Sequence, residues 1–463
     1  MEFTLAAVIV LIILCALRWN RNRSRLPLPP GPRKLPLIGN LFDMPTERQW
    51  ETFLKWNKQF KSDVIHLNAA GTSIIVLSSM EAVKELFEKR STLYSDRPRL
   101  PMLVELMGWD FAISLMKYGD RCLTGTVIMN ITYGIDIHGA DEEYIRIAKK
   151  AVESSSIASM PGAFLVDSIP ALKYVPNWIP GAEFKRKAVE WKRIAQDLLQ
   201  LPFTEAKQNM ATGAARTSFT SMNLALLEDS TGIELEEQEA VIKATAANMY
   251  IGGADTTVSA MGSFILAMLF NPEVRKKAQA EIDSVIGPGQ LPGFADKPTL
   301  PYISAIVKEV LRWRSVTPLA FPHYLAADDE YHGYRIPRNS IVIGNAWAML
   351  HDESIYPDPH SFKPERFLLS DGKLNSAIRD PETVAFGFGR RICPGRHMAV
   401  ASIWIVVASI LSTFNIDKAI GEDGREIEPT DEYSPGILST PLPFKCSITP
   451  RSPQAVEAIQ ATA

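Results

Sequence analysis

Apolar and polar positions along the chain follow two periods, and the helical one dominates. From Thr46 to Phe60 a polar stretch carries Trp50, Phe53, Leu54 and Phe60, which predicts a surface helix. Val64 to Asn68 and Ser73 to Ser78 are rich in strand formers and predict a strand pair turned at Gly71. A helix is predicted from Met80 to Arg90, with Ser79 as its N-cap. Pro176, Asn177 and Pro180 around Trp178 make Lys173 to Pro180 a loop, and the next helix begins near Ala182. The longest helical pattern spans Glu234 to Phe270, is largely apolar in its second half and stops at Asn271-Pro272, so it is predicted to cross the interior. Further helices are predicted over Glu273 to Val285, Leu300 to Trp313 and Arg396 to Phe414, with short strands around Tyr331 to Pro337 and Ser340 to Asn345. Helices dominate, strands are few and no repeat is visible, which gives a mainly α fold with small β-sheets.

The N-terminus reads differently. Phe3 to Trp19 is apolar except for Thr4 and, at its end, Arg18, so it lies at the short end of what spans a bilayer. No positive charge precedes it and no small-x-small cleavage site follows, so a signal anchor fits better than a cleaved signal peptide. Arg18, Arg21, Arg23 and Arg25 follow and place the rest of the chain on the cytosolic side. Leu26 to Pro32 holds four prolines and cannot be helical, so it is a stiff linker.

Composition adds bounds. With 463 residues, 46% of them hydrophobic, the chain can bury a large core. A net charge of −3 gives no signal for nucleic acid. Cys15, Cys122, Cys393 and Cys446 lie far apart without paired metal spacing, so a disulfide framework is not expected. Asn130-Ile131-Thr132 is a glycosylation sequon, but a cytosolic domain does not meet the enzyme that uses it.

One loop carries chemistry. In Phe386-Gly387-Phe388-Gly389-Arg390-Arg391-Ile392-Cys393-Pro394-Gly395, glycines permit close approach of the backbone to a flat ligand, and cations favour sulfur as the thiolate. A lone cysteine is more often a small buried hydrophobe. The whole loop, however, resembles the cysteine loop of the cytochrome P-450 haem-thiolate monooxygenases. The resemblance implies haem b (iron protoporphyrin IX) with Cys393 as axial iron ligand, Arg391 on a propionate, Phe386 beside the sulfur, and Gly389 and Gly395 shaping the loop.

Other motifs extend the resemblance. Gly252-Gly253-Ala254-Asp255-Thr256-Thr257 puts poor helix formers inside the longest helix, which by itself fits close helix packing or a local widening. In the family it makes room for oxygen and substrate, with Thr256 as hydrogen-bond donor and Asp255 as proton relay. Glu309 and Arg312 share a helix face, and such a pair is usually an exposed, weak one. Followed by Pro364-Glu365-Arg366-Phe367, it resembles the family's buried triad, in which Glu309, Arg312 and Arg366 are structural. The same mapping places Leu319, Ala320, Phe321, Gly436 and Ile437 on the substrate pocket with Gly252 and Gly253, and His323 near a propionate. The expected domains are an anchor with its basic flank (1–25), a linker (26–36), a haem-thiolate catalytic domain (37–449) and a tail (450–463). The implied function is insertion of one oxygen atom from O2 into a small apolar organic substrate. Electrons come from NADPH through a cytochrome reductase, with cytochrome b5 as a second donor, at the endoplasmic reticulum membrane. Asp328 to Tyr334 and Pro441 to Cys446 resemble fungal secondary-metabolism members.

The resemblance has one gap. After Tyr118-Gly119 the family expects a tryptophan and, four residues on, an arginine that holds a propionate. Here those places hold Cys122 and Thr126, and no lysine or arginine occurs between Arg121 and Arg146. The match resumes near Gly125, as if two helices were deleted. Two lost charge-assisted contacts weaken haem retention by roughly two to four powers of ten. The expectation is therefore a monooxygenase by family, impaired in this chain. The alternatives are a truncated product with little haem binding, or a haem-thiolate isomerase or dehydratase, against which Asp255 and Thr256 argue.

Overall fold

The computed structural model describes residues 26–112, 114–115, 129–135, 143–160, 162–227 and 232–461. The anchor, Tyr118 to Arg121, Cys122 and Thr126 lie outside them. Helix α1 (Gln49–Phe60) starts three residues later than its polar pattern suggested, and it is not a surface helix throughout: Trp50 and Phe53 are buried against the sheet. Strands β1 (Val64–Ala69) and β2 (Thr72–Leu77) pair antiparallel through Ala70-Gly71. Ser79 caps α2 (Met80–Val83), accepting a bond from Ala82 N, and the helix continues as a wider π turn over Lys84–Lys89. The predicted single helix to Arg90 is thus two geometries in series.

Helices α3 (Glu143–Ala158) and α4 (Glu183–Ala211) pack together and on α5 (Gly232–Ala254) around Ala148, Ala195, Ala246 and Ala247. The predicted long helix is interrupted: α5 ends at Ala254 and α6 (Thr256–Phe270) begins after Asp255. Helices α7 (Pro272–Val285) and α8 (Pro301–Trp313) follow. Strands β3 (His323–Tyr324), β4 (Asp329–Tyr331), β5 (Tyr334–Ile336) and β6 (Ile341–Gly344) come next. The stretch read as a strand around Tyr331 is a hairpin, because His332-Gly333 takes left-handed backbone and turns the chain. The main sheet has the order β1-β2-β6-β3, with β2 and β6 parallel. Helix α9 (Arg396–Thr413) ends where β7 (Phe414–Lys418) begins, and β7 pairs with β8 (Cys446–Pro450). Within the expected tail, Ser452 caps α10 (Pro453–Gln460), and Arg451 pairs with Asp283 on α7.

The largest core lies between α6, α7, α8 and α9, around Phe264, Ile303, Ile306 and Trp404. Trp404 Nε1 donates to Ser304 Oγ at 3.1 Å and fixes α9 against α8. Both α6 and α9 are apolar nearly all round, a composition suited to burial on every side. Yet Val258 on α6 is 61% exposed and Val406 on α9 is 37% exposed.

Candidate functional site

The cysteine loop sits between α8 and the main sheet. Cys393 N donates to the Phe386 carbonyl at 2.8 Å, which closes the loop on itself. Gly389 has φ +59°, and a Cβ there would stand 2.1 Å from the Phe87 carbonyl, so only glycine lets the loop reach the π turn after α2. Burial pushes the Cys393 thiol up, while the Gly395 amide and the Arg396 charge act the other way. A bound metal cation would shift that balance to the thiolate.

A group of cations lies beside the loop. Arg391 Nε donates to Ser95 O at 2.8 Å. Arg97, 6% exposed, donates to the carbonyls of Ser114, Phe321 and Pro322 at 2.8, 3.1 and 2.7 Å. His323 is stacked on Phe87 with ring centroids 4.0 Å apart, and its Nδ1 is 2.7 Å from Tyr94 O. Burial and then Arg391 pull Arg97 down to about 9, with Asp96 opposing. Burial, then Arg97 and Arg391, hold His323 well below its usual range, against the bond to Tyr94 O. Two arginines beside a histidine kept neutral form a positive field, and the Arg97 side chain donates to carbonyls rather than to a carboxylate. Such a field suits an anion. The site therefore fits a haem in both halves of its chemistry: a thiol that would hold the metal and arginines that would hold the propionates. Sequence reading reached Arg391 and His323 but missed Arg97. The available signal was an arginine just before Pro98, which keeps it in extended backbone after a helix.

The predicted triad is assembled. Glu309 and Arg312 are fully buried, joined by Arg312 Nε to Oε2 at 2.7 Å and Nη2 to Oε1 at 2.8 Å. Arg366 Nε reaches the same Oε1 at 3.2 Å, and Lys363 N donates to it at 2.8 Å. The α5–α6 break holds the predicted proton groups. Thr256 Oγ1 donates to the Gly252 carbonyl at 2.7 Å, the back-bond that bends helices. Burial raises Asp255, with Lys149 opposing. No atom stands within 4 Å of a Cβ built on Gly252, so the break adjoins open space.

Of the predicted pocket residues, Leu319, Ala320, Gly436 and Ile437 line one cleft, together with Gln49, Trp50 and Met160. Gly252, Gly253 and Phe321 do not line it; the Phe321 carbonyl is held by Arg97 instead. The sequon at Asn130 lies in a short helix (Met129–Tyr133) with Thr132 fully buried.

Comparison with known proteins agrees with this geometry. The family model described as Cytochrome P450 matches residues 29–121 and 117–448. Cytochrome P450 monooxygenase 98 of Postia placenta is 47% identical over 502 positions, covering 98% of this chain and 95% of that protein. Cytochrome P450 monooxygenase ple1 of Rhodocybe pseudopiperita is 43% identical over 96% of this chain and 93% of that protein. The tryptamine 4-monooxygenase of Psilocybe cyanescens is 40% identical, over 95% of each. With its mainly α fold, small sheets and cysteine loop, the chain belongs to the cytochrome P450 family of haem-binding monooxygenases.

Proposed function

We propose that this chain descends from a membrane-anchored monooxygenase that takes electrons from NADPH through a cytochrome reductase, and that an internal deletion impairs it. The observation that carries the oxygenation reading is the buried group of Arg97, Arg391 and His323 beside the Cys393 loop. When bound, haem supplies the activation of dioxygen. Cys393 would hold its iron, Arg97 and Arg391 its propionates, and His323 a neutral hydrogen-bonding edge at the same place. Phe386 and Phe388 keep water from the sulfur, which strengthens the Gly395 amide's effect on it. Asp255, with its carboxyl raised by burial, holds a proton near neutral pH more readily than an exposed aspartate and passes it toward Thr256. The Glu309 triad keeps α8 and the 364–367 turn in register under the loop.

Three observations support the deletion. The family match comes in two pieces that meet at residues 117–121. An alignment of 502 positions cannot be filled by 463 residues, so the Postia relative carries tens of residues that this chain lacks. The outward sides of α6 and α9 present Val258 and Val406 to solvent, although both helices have the composition of buried ones.

Exposed apolar side chains support the membrane reading. Leu37 is 96% exposed, Phe42 80% and Trp178 80%. The linker leads to that region along the sheets, with Pro27 and Pro30 carbonyls accepting from Arg335 N and His66 N. The test is the absorption spectrum of the reduced, carbon monoxide-bound protein. A strongly red-shifted Soret band at substoichiometric haem is the expected result. No thiolate band at saturating haem would refute the oxygenation reading, and full occupancy with reductase-driven turnover would refute the impairment.

A further inference from the structure

We propose that Gln49 and Trp50 form a polar seat for a hydroxyl group carried by an otherwise apolar substrate; this deepens the oxygenation reading and rests on it for the role of the cleft. The first turn of α1 stands against the cleft lined by Leu319, Ala320, Gly436 and Ile437. Gln49 is 2% exposed and Trp50 5%, and each holds a buried polar atom without a hydrogen-bond partner, Gln49 Oε1 and Trp50 Nε1. Both side chains are fixed. Gln49 Nε2 donates to Pro45 O at 2.7 Å, so its unmatched atom is the acceptor. Trp50 packs on Trp347 with ring centroids 6.2 Å apart, and its own carbonyl accepts from Asn345 Nδ2.

Buried polar atoms are nearly always matched, and an unmatched one calls for a ligand or a water. Here one donor and one acceptor come from adjacent residues on the wall of one cleft. A hydroxyl is the smallest organic group that accepts and donates at once. The rest of the wall is apolar and the enclosed room is little larger than one small group, so it takes a substituent rather than a whole molecule. The body of the ligand would run along residues 319–322, whose carbonyls at Phe321 and Pro322 already reach Arg97. Ala320 lies at φ +50°, a backbone strain of the kind that collects at ligand sites. A ketone would match Trp50 alone, and a hydrocarbon neither residue.

Binding of 1-octanol, 2-octanone and octane to the full chain, measured by ligand-observed NMR, tests this without haem. The wild type should favour the alcohol over the hydrocarbon by about tenfold or more. Gln49→Leu should weaken the alcohol alone, and Trp50→Phe, which keeps an aromatic ring, should weaken alcohol and ketone alike. Equal affinity for the three probes in the wild type overturns the proposal, and so does a preference that both variants retain, as when a water alone matches the two atoms. The carbon monoxide band of the same preparation separates the two readings. A thiolate band without alcohol preference overturns the seat alone; alcohol preference without the band leaves the seat standing and removes the oxygenation reading.

Discussion

Replacing Glu309 by alanine removes the acceptor of four hydrogen bonds: two from Arg312, one from Arg366 and one from the Lys363 amide. Arg312 is fully buried and keeps only the carbonyls of Leu350, Pro359 and Ser361. Arg366 retains the carbonyls of Pro357, Asp358 and Ser361, so part of its bonding survives. The loss is dominated by Arg312, a charge left in the interior without its counter-ion. Breaking such a pair costs about 3–5 kcal/mol. Native domains hold about 5–15 kcal/mol in total, so roughly a fifth or more of the stability should go. Urea unfolding followed by circular dichroism should show a clearly lower midpoint, and the variant should be isolated without haem. A double variant, Glu309→Leu with Arg312→Met, removes both charges and should recover most of the loss, because a buried pair contributes little over an apolar one. A Glu309→Ala midpoint equal to wild type, or a double variant no better than the single one, would refute the reasoning.

Gly389→Ala should prevent haem uptake, since its Cβ would meet the Phe87 carbonyl at 2.1 Å, whereas Gly372→Ala, at φ +81° with open space around it, should lower stability by only about 1 kcal/mol; haem titration and urea midpoints check the pair. Arg97→Met should speed transfer of haem to a scavenging apoprotein by about tenfold to hundredfold, and an unchanged rate would remove Arg97 from the cradle. Asp167, whose carboxyl accepts from Met102 N at 2.9 Å, is pushed up to about 7 by burial, with Glu105 adding to the shift. Its folded value lies above the unfolded one of about 3.9, so the stability it contributes is full below pH ~4 and is lost as pH rises through about 7, up to about 4 kcal/mol. Asp167→Asn should flatten the midpoint against pH between 5 and 8, and an unchanged slope would show that Asp167 does not set it.

Much of the site was legible because its motifs are local in sequence. The cysteine loop carries its glycines and proline within ten residues, and Glu309 and Arg312 stand one helical turn apart, so the family resemblance could place them, although spacing by itself fits a buried hydrophobe and an exposed pair. The α5–α6 break was half legible: the glycines and threonines announced an irregularity, but its position at Asp255 depends on the Thr256 hydroxyl taking the Gly252 carbonyl, a choice between competing acceptors. Arg97, Gln49 and Trp50 were not legible as functional residues. Their meaning comes from burial without a matching partner, and burial is decided by elements 200 residues or more away, at Phe321, Pro322 and Gly436. The helix at Thr46 misled for the same reason: Trp50 and Phe53 in a polar stretch read as a surface helix, and only the sheet beneath them makes them core.

Charge balance bears on what the proposed deletion would mean. Arg97 and Arg391, the cations placed to meet an anion, and the neutral His323 beside them come from three segments outside residues 116–128, and carbonyls, stacking and the Tyr94 bond hold them in place. Recognition of a propionate-bearing macrocycle would therefore not depend wholly on the stretch proposed to be deleted. Under the proposed deletion retention would suffer, because each lost charge-assisted bond multiplies the dissociation constant by roughly ten or more. The phenotype expected of the proposed deletion is then graded: haem that binds at high concentration and leaves on dilution, in a fold whose exposed Val258 and Val406 on α6 and α9 favour association. Grafting the segment between residues 121 and 125 from the Postia relative should reverse both together, and a graft that restored solubility without haem retention would separate the two losses and place the defect in the cradle itself.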